Sequence, residues 1–330
     1  MRSFIEKSKS LARMLRSRVM TLTESSGNRN SEVRILFVAN ASIPTLQIGF
    51  MKPLAPLVEV GTIATELLSE QQMKERFGKR LREPEVCTWL NQRLAEFKPT
   101  IVIFCRYSGP HVEHIVSQAK AEKVTVIFHI DDDLLNVPIE LGQHKYDYHN
   151  HPLRLAAINY LLNHADLVYC STEVLRKRLV ALGIQSTSIS GKISCFGRVL
   201  TPATLGKVRK IGYMGFDHAH DLALILPALV VFLRGNPDIQ FELFGSIPKP
   251  SELDEFGDRV TTIPPVRDYE SFMSEFAALG WDIGICPLAP TSFNATKSIN
   301  KWVEYTSVGA AVIASAGTIY DDCCAEGRGL

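Results

Sequence analysis

TIVIFCRYSGPHVEHIVSQAKAEKVTVIFHIDDD, residues 100–133, contains two runs that are apolar throughout, separated by a segment with apolar residues at helical spacing. A strand with one wet face alternates apolar and polar residues. Thr100–Arg106 and Val124–Asp133 do not alternate, so both of their faces need cover. Strand, helix and strand in that order predict a parallel sheet with helices on both sides.

The same alternation extends outward from this unit. Upstream, Glu32–Asn40 (EVRILFVAN) reads as a buried first strand, PLAPLVEVGTIATELL as helical in part, and TWLNQRLAEFKP as a helix stopped by Pro99. Downstream come the helix PLRLAAINYLLNHA, the strand DLVYCST and the helix Glu173–Gly183, with Gly183 at its expected C′ position. IQSTSISGKISCFGRVLTPATLGKV has no clear period, which places the interdomain connection near Gly206. Strands RKIGYMG, IQFELFG, WDIGICPL and AAVIAS then alternate with helices HDLALILPALVVFLRG, YESFMSEFAALG and a last one around KSINKWVEYTS. The fold class expected is α/β, with two doubly wound, Rossmann-like domains at residues 32–206 and 207–330 after a basic tail at 1–31. The second domain is expected to be incomplete at its C-terminus, because the chain stops at GRGL soon after the strand Ala311–Ser315.

Composition narrows the function classes. The chain has 330 residues, 46% hydrophobic and 22% charged, and a formal net charge of +1, so no global field points to nucleic acid and any anion site must be local. Its 7 cysteines include no CxxC pair, and several sit in apolar runs, which reads as buried thiols in a reducing compartment with no metal site. The longest apolar stretch, Leu222–Leu233, is shorter than the roughly 20 residues a membrane span needs. The tail MRSFIEKSKSLARMLRSRVM lacks a signal-peptide core. Its basic residues suit a weak contact with an anionic membrane surface, and a frayed solvated extension is the plainer reading. A cytoplasmic location, peripheral to the inner face of a membrane, is the matching expectation.

In doubly wound domains ligands gather outside the carboxyl ends of strands, so candidates lie just after each strand and the cleft between domains is the default site. Neither domain's first strand is followed by GxGxxG, and no GxxxxGK[ST] occurs, which argues against a nicotinamide dehydrogenase and a P-loop NTPase. Asp131–Asp133 at a strand end invite a magnesium reading. That chemistry needs an acid on the first strand, where Asn40 stands, so capping of the following loop is favoured, with Asp131 and Asp132 kept as cleft residues. No GxSxG elbow is present. His111, His129, His218 and His220 stand at or beside strand ends. Near the C-terminus Lys297, Asn300, Lys301 and Glu304 fall at i, i+3, i+4 and i+7, one face of an expected helix whose two lysines sit unfavourably at its positive end. An anion beside them would remove the penalty.

VRKIGYMGFDHAHDLALILPAL, IQFELFG, GWDIGICPLAPTSFNATKSINKWVEYTSVGAAVIAS, VIFHIDDDLLNVP and DLVYCSTEVL together resemble the GT-B glycosyltransferases of the group 1, family 4-like class, in particular bacterial enzymes of surface-polysaccharide assembly. The resemblance implies a hexosyltransferase with no cofactor or metal, using a nucleotide-diphosphate sugar on the second domain and a glycan or lipid-linked acceptor on the first. By the same resemblance Glu304 holds the ribose hydroxyls. Lys297, Ser298 and Lys301 meet the diphosphate, Asn294 lies in the same run, Gly215, Asp217 and His218 form the turn that approaches it, and Gly49 belongs to a flexible loop that closes over it. His129, Asp131 and His111 are the candidates for acceptor deprotonation. The family motif pairs two glutamates, and eight positions before Glu304 stands Thr296. Two other readings are therefore carried: a protein of this fold that binds nucleotide or glycan without turnover, and a sugar-nucleotide epimerase.

Overall fold

The computed structural model describes residues 33–81, 83–191, 199–202, 206–216 and 219–325. The basic tail, Asp217 and His218 lie outside the described residues. The chain divides into two compact units, Met1–Leu135 with Asn150–Ile193, and Asn136–His149 with Ser194–Leu330.

The first unit is built on a six-stranded parallel sheet in the order β2-β1-β3-β4-β5-β6. The strands are β1 (Val33–Ala39), β2 (Ile63–Ser69), β3 (Ile101–Cys105), β4 (Thr125–Ile130), β5 (Leu167–Cys170) and β6 (Thr187–Ser190). Residues of β1 alternate between two apolar layers: Leu36 and Val38 join Phe104 and Phe128 on one face, while Ile35 and Phe37 join Ile103 and Cys105 on the other. Burial on both faces accounts for the unbroken apolar runs of the central strands.

The second unit has a five-stranded parallel sheet in the order β11-β10-β7-β8-β9. Its strands are β7 (Lys210–Gly215), β8 (Gln240–Gly245), β9 (Val260–Ile263), β10 (Ile283–Cys286) and β11 (Ala311–Ala314). Both sheets are doubly wound, as the apolar runs predicted. Strand order reverses between β1 and β3 in the first unit and between β7 and β10 in the second, and such switch points open a crevice at the carboxyl ends of their strands.

Five elements differ from the sequence expectation. The strands β2, β6 and β9 all lie at sheet edges; TSIS and VTTI are short and polar, and IATELLS continued a stretch that read as helical. The single helix expected over residues 220–235 is two, Ala219–Ala223 and Leu226–Gly235, because Pro227 lacks an N–H and opens the second at its first turn. The helix expected to include Lys297 begins only at Asn300; Lys297 itself is extended, with φ −62° and ψ 160°, after a short 3-10 turn Asn294–Thr296. Lys297 and Lys301 are therefore not a helical i, i+4 pair. No described helix is long and apolar enough to cross a membrane.

Candidate functional site

In the second unit, β7 and β10 pair only through Ile211 and Gly212 against Ile283 and Gly284, and then part at the switch point. The Tyr305 hydroxyl fills the gap. It accepts from the Met214 amide (3.0 Å) and donates to the Ile285 carbonyl (3.2 Å), so one phenol satisfies a backbone group on each strand. Its ring lies over Gly284, where a Cβ would come within 2.6 Å of it. Tyr305→Phe leaves both backbone groups buried and unpaired, and we expect a loss of about 2 kcal/mol in thermal or urea unfolding. An unchanged midpoint would show that water replaces the phenol.

Tyr305 belongs to the helix Asn300–Ser307, and its anchoring fixes the neighbours on that helix. Glu304 is 5% exposed and accepts from the Tyr269 hydroxyl at 3.1 Å. Burial pushes its carboxyl up to about 7, against the opposing pull of Tyr269 and Lys301. Lys301 is partly buried, with its ammonium 4.3 Å from the centre of the Tyr213 ring and 3.3 Å from the Tyr213 hydroxyl. Burial brings this ammonium down to about 8, Cys286 acting against the shift and Lys297 with it. The Lys297 ammonium stands 5.4 Å over the Phe293 ring. Two cations and a carboxyl, two of them shifted toward neutrality, thus occupy the segment that follows β10. Perturbation of this kind is characteristic of groups held ready for a charged or polar ligand.

The loop between β10 and this helix is tied down by Asn294 and Asp221. Asn294 is buried, and its amide donates to the Ala289 carbonyl at 2.9 Å and toward Asp221 Oδ1 at 3.4 Å. Asp221 also accepts from the Ala289 amide at 2.9 Å. Thr296 closes the 3-10 turn by donating to the Phe293 carbonyl at 2.7 Å. It brings no carboxylate there. Ser298 lies between that turn and the helix. Gly215 ends β7 opposite Gly245, whose φ of 121° and 2.2 Å approach of a built Cβ to the Gly215 carbonyl require glycine.

In the first unit the switch point is crossed by polar side chains. Asn40, after β1, donates from Nδ2 to the Ser108 hydroxyl at 3.1 Å and accepts from the Ser108 amide at 3.2 Å. Arg154 joins Ser108 to Glu70 through paired bonds of 2.9 and 3.2 Å. Although burial raises the Glu70 carboxyl, Arg154 and Lys74 bring it below its ordinary value. Beside these, Arg106 pairs with both Asp131 and Asp132, Thr45 donates to Asp131, and Arg178 pairs with Asp133. Each carboxylate of the triplet thus meets a guanidinium group, Arg106 being shared by two of them. Burial, seconded by Asp132, holds the Asp131 carboxyl above the usual range in spite of Arg106.

The three residues expected on the acceptor side differ in setting. His129 is 2% exposed, stacked on Tyr169 (5.2 Å) and edge-on to Phe50 (4.9 Å), and burial together with Arg106 takes it down to about 3. It is a neutral packing ring. His111 occupies the left-handed position before the helix Val112–Ala121, with Nε2 on the Leu81 carbonyl and Nδ1 3.4 Å from the Cys87 thiol. Asp131 follows β4 directly, and of the three it is the one whose carboxyl is held above its usual range. Gly49, expected in a flexible loop, lies instead in the π-helical turn Gln47–Met51 between the α-helical segments Pro44–Leu46 and Lys52–Glu59. Arg106 opens the stretch Arg106–His111, which sequence reasoning placed among the candidates after a strand, whereas Glu70 and Arg154 were missed. Glu70 follows β2, whose sequence read as part of a helical stretch, and Arg154 reaches the site from within a helix.

No family model matches the sequence, and no curated protein matches it. Solved structures do match in fold. A UDP-GlcNAc 2-epimerase from Neisseria meningitidis bound to UDP-GlcNAc is 14% identical, covering 90% of this chain and 87% of that one, with a TM-score of 0.50. A glycosyltransferase from Rickettsia africae ESF-5 is 13% identical, covering 86% and 79%, with a TM-score of 0.50. A pneumococcal O-GlcNAc transferase in complex with UDP and GlcNAc is 13% identical, with a TM-score of 0.46; the match takes in 70% of this chain and only 44% of that one. The fold is that of GT-B proteins, with two Rossmann-like domains, and identities this low speak of fold alone.

Proposed function

We propose that the protein is a glycosyltransferase that moves a sugar from a nucleotide-diphosphate donor to a glycan or lipid-linked acceptor without a metal, in cell-surface polysaccharide synthesis. The observation that carries this reading is the arrangement after β10: a half-buried Lys301 and a buried Glu304 on one helix, each shifted toward neutrality, with Lys297 just before it. A ribose diol donates to a carboxylate, and a departing diphosphate needs cations in a site of low dielectric. In this reading Glu304 takes the ribose and Lys297, Ser298 and Lys301 take the phosphates. Gly215 gives the backbone close approach, and Asn294 holds the loop. Asp131 is the acceptor-side base, while His129 and His111 serve structure. The tail at residues 1–31 supplies any contact with an anionic membrane surface on the cytoplasmic side.

Lys297→Ala should weaken a nucleoside diphosphate roughly tenfold or more, since hydrogen bonds to charged groups contribute about 1.5–3 kcal/mol, and leave the nucleoside unchanged. Calorimetric titration of both ligands decides it. Equal losses would remove Lys297 from the phosphates.

The epimerase remains as a second reading because its fold match spans most of both chains. Incubation with a panel of nucleotide-sugars separates the two: net nucleoside diphosphate release with a new glycoside supports transfer, and an epimerised sugar-nucleotide supports the alternative. Binding with neither product would mark a nucleotide-binding protein without turnover.

A further inference from the structure

The chain leaves β4 through Asp131–Asp133, and the segment that follows, Asn136–His149, packs as part of the second unit. Two contacts of this strap reach the loops beside the candidate site. At its start, Val137 and Leu141 form a closed apolar cluster with Phe293, all three buried. Phe293 immediately precedes Asn294, and its ring carries the Lys297 ammonium at 5.4 Å. Further along, in the helix Gln143–His149, the Lys145 ammonium donates to the Phe216 carbonyl at 3.0 Å. Phe216 is the residue after Gly215, where β7 ends.

One segment thus grips the loop after β7 and the loop after β10, the two loops that border the switch point of the second sheet. The contact in the first loop is to the Phe216 backbone carbonyl, which fixes chain position and is indifferent to side-chain identity. The contact in the second loop is apolar and adjoins a cation of the candidate site. We propose that the strap Asn136–His149 is a positioning element of the nucleotide site, with Lys145 and Leu141 holding the two loops in their ligand-ready arrangement. This rests on the reading of that site as a nucleoside-diphosphate site. Lys145 and Leu141 are positioning residues, which act through Phe216 and Phe293. The consequence is that nucleotide affinity depends on a segment contributed between β4 and the helix Pro152–His164, far in sequence from every residue expected to touch the nucleotide.

Hydrogen exchange on the ligand-free protein tests the grip whether or not any nucleotide binds. In Lys145→Ala the amides of the loop after β7, and in Leu141→Ala those of 293–297, should exchange at least severalfold faster, with exchange at β8 unchanged. Lys145→Arg, which keeps the donor, should restore the wild-type rate. Unchanged exchange in both alanine variants overturns the proposal. Titration with UDP and GDP then tests the consequence. A loop in its competent arrangement only part of the time weakens apparent affinity by that fraction, so each alanine variant should lose roughly five- to tenfold, Lys145→Ala at an unchanged melting temperature and Leu141→Ala at one lowered by the emptied apolar cluster. Wild-type affinity in a variant with loosened loops also overturns the positioning role. Wild-type protein that binds neither nucleotide refutes the proposed function and leaves the exchange result to decide whether the strap grips the loops.

Discussion

Arg106→Met should destabilise the protein by about 3–5 kcal/mol, the usual cost of removing one partner from a buried ion pair. Arg106 is the only cation paired to Asp131 among the described residues, and Asp131 is 2% exposed. Without the guanidinium, two adjacent carboxylates face each other in a medium that already holds Asp131 above its ordinary value through burial. Methionine keeps the aliphatic packing and removes only the charge and the donors. The loss should appear in urea unfolding and, locally, as faster hydrogen exchange at β3 and β4. It should also depend on pH with a definite sign. The folded-state pKa of Asp131 rises further in the variant, so the folded form binds protons that the unfolded form does not, and the deficit shrinks as pH falls through that raised value. Adding Asp131→Asn should recover part of the loss. A deficit below about 1 kcal/mol, or one independent of pH, would mean that water already screens this network.

That network illustrates what the sequence could and could not convey. The central strands were legible because burial on both faces forces continuous apolar residues; β3 was placed to within one residue at each end, while β4 ends at Ile130, three residues before the expected Asp133. The edge strands β2, β6 and β9 were not: β6 and β9 are four-residue strands held by backbone pairing on one side and need no apolar run, and β2 was absorbed into a stretch that read as helical. The strand-end positions of the candidate residues followed from the same periodicity. Their partners did not: nothing in HIDDD says that Arg106 pairs with two of its carboxylates, or that His129 is sealed between Tyr169 and Phe50. Those contacts join residues from different strands and helices, and no local pattern encodes them. The stripe Lys297, Asn300, Lys301, Glu304 shows the opposite failure. Its spacing is helical, yet the 3-10 turn closed by Thr296 and the Asn294 knot hold Lys297 outside the helix. Local side-chain bonds to backbone outcompeted the periodic reading.

Glu304→Gln should separate stability from binding and move them in opposite directions. In the folded protein the Glu304 carboxyl titrates near 7, against an ordinary value of 4.5. Because the folded pKa is the higher one, the folded state holds the extra proton between these two values. Stability associated with Glu304 is therefore fully present below pH 4.5 and is lost as pH rises through 7. The difference corresponds to about 3 kcal/mol. Glutamine cannot ionise, so the stability of the variant relative to wild type should rise by about that amount from pH 4.5 to pH 8, as read from unfolding midpoints across the range. A wild type whose stability does not fall in this window would place solvent or a cation against the carboxylate. Binding should run the other way. A ribose diol donates its hydrogens to the ionised carboxylate, so nucleoside and nucleoside diphosphate should both bind wild type more tightly as pH rises through 7, and both should lose roughly tenfold or more in Glu304→Gln. Lys301 adds a second signature at pH 8. Its ammonium is half deprotonated there, and a diphosphate beside it draws a proton onto it. Titration in buffers of different ionisation enthalpy should accordingly show proton uptake with the diphosphate and none with the nucleoside. Equal proton uptake by both ligands would detach Lys301 from the phosphates while leaving Glu304 on the ribose, so the two halves of the nucleotide can be assigned to the two residues independently.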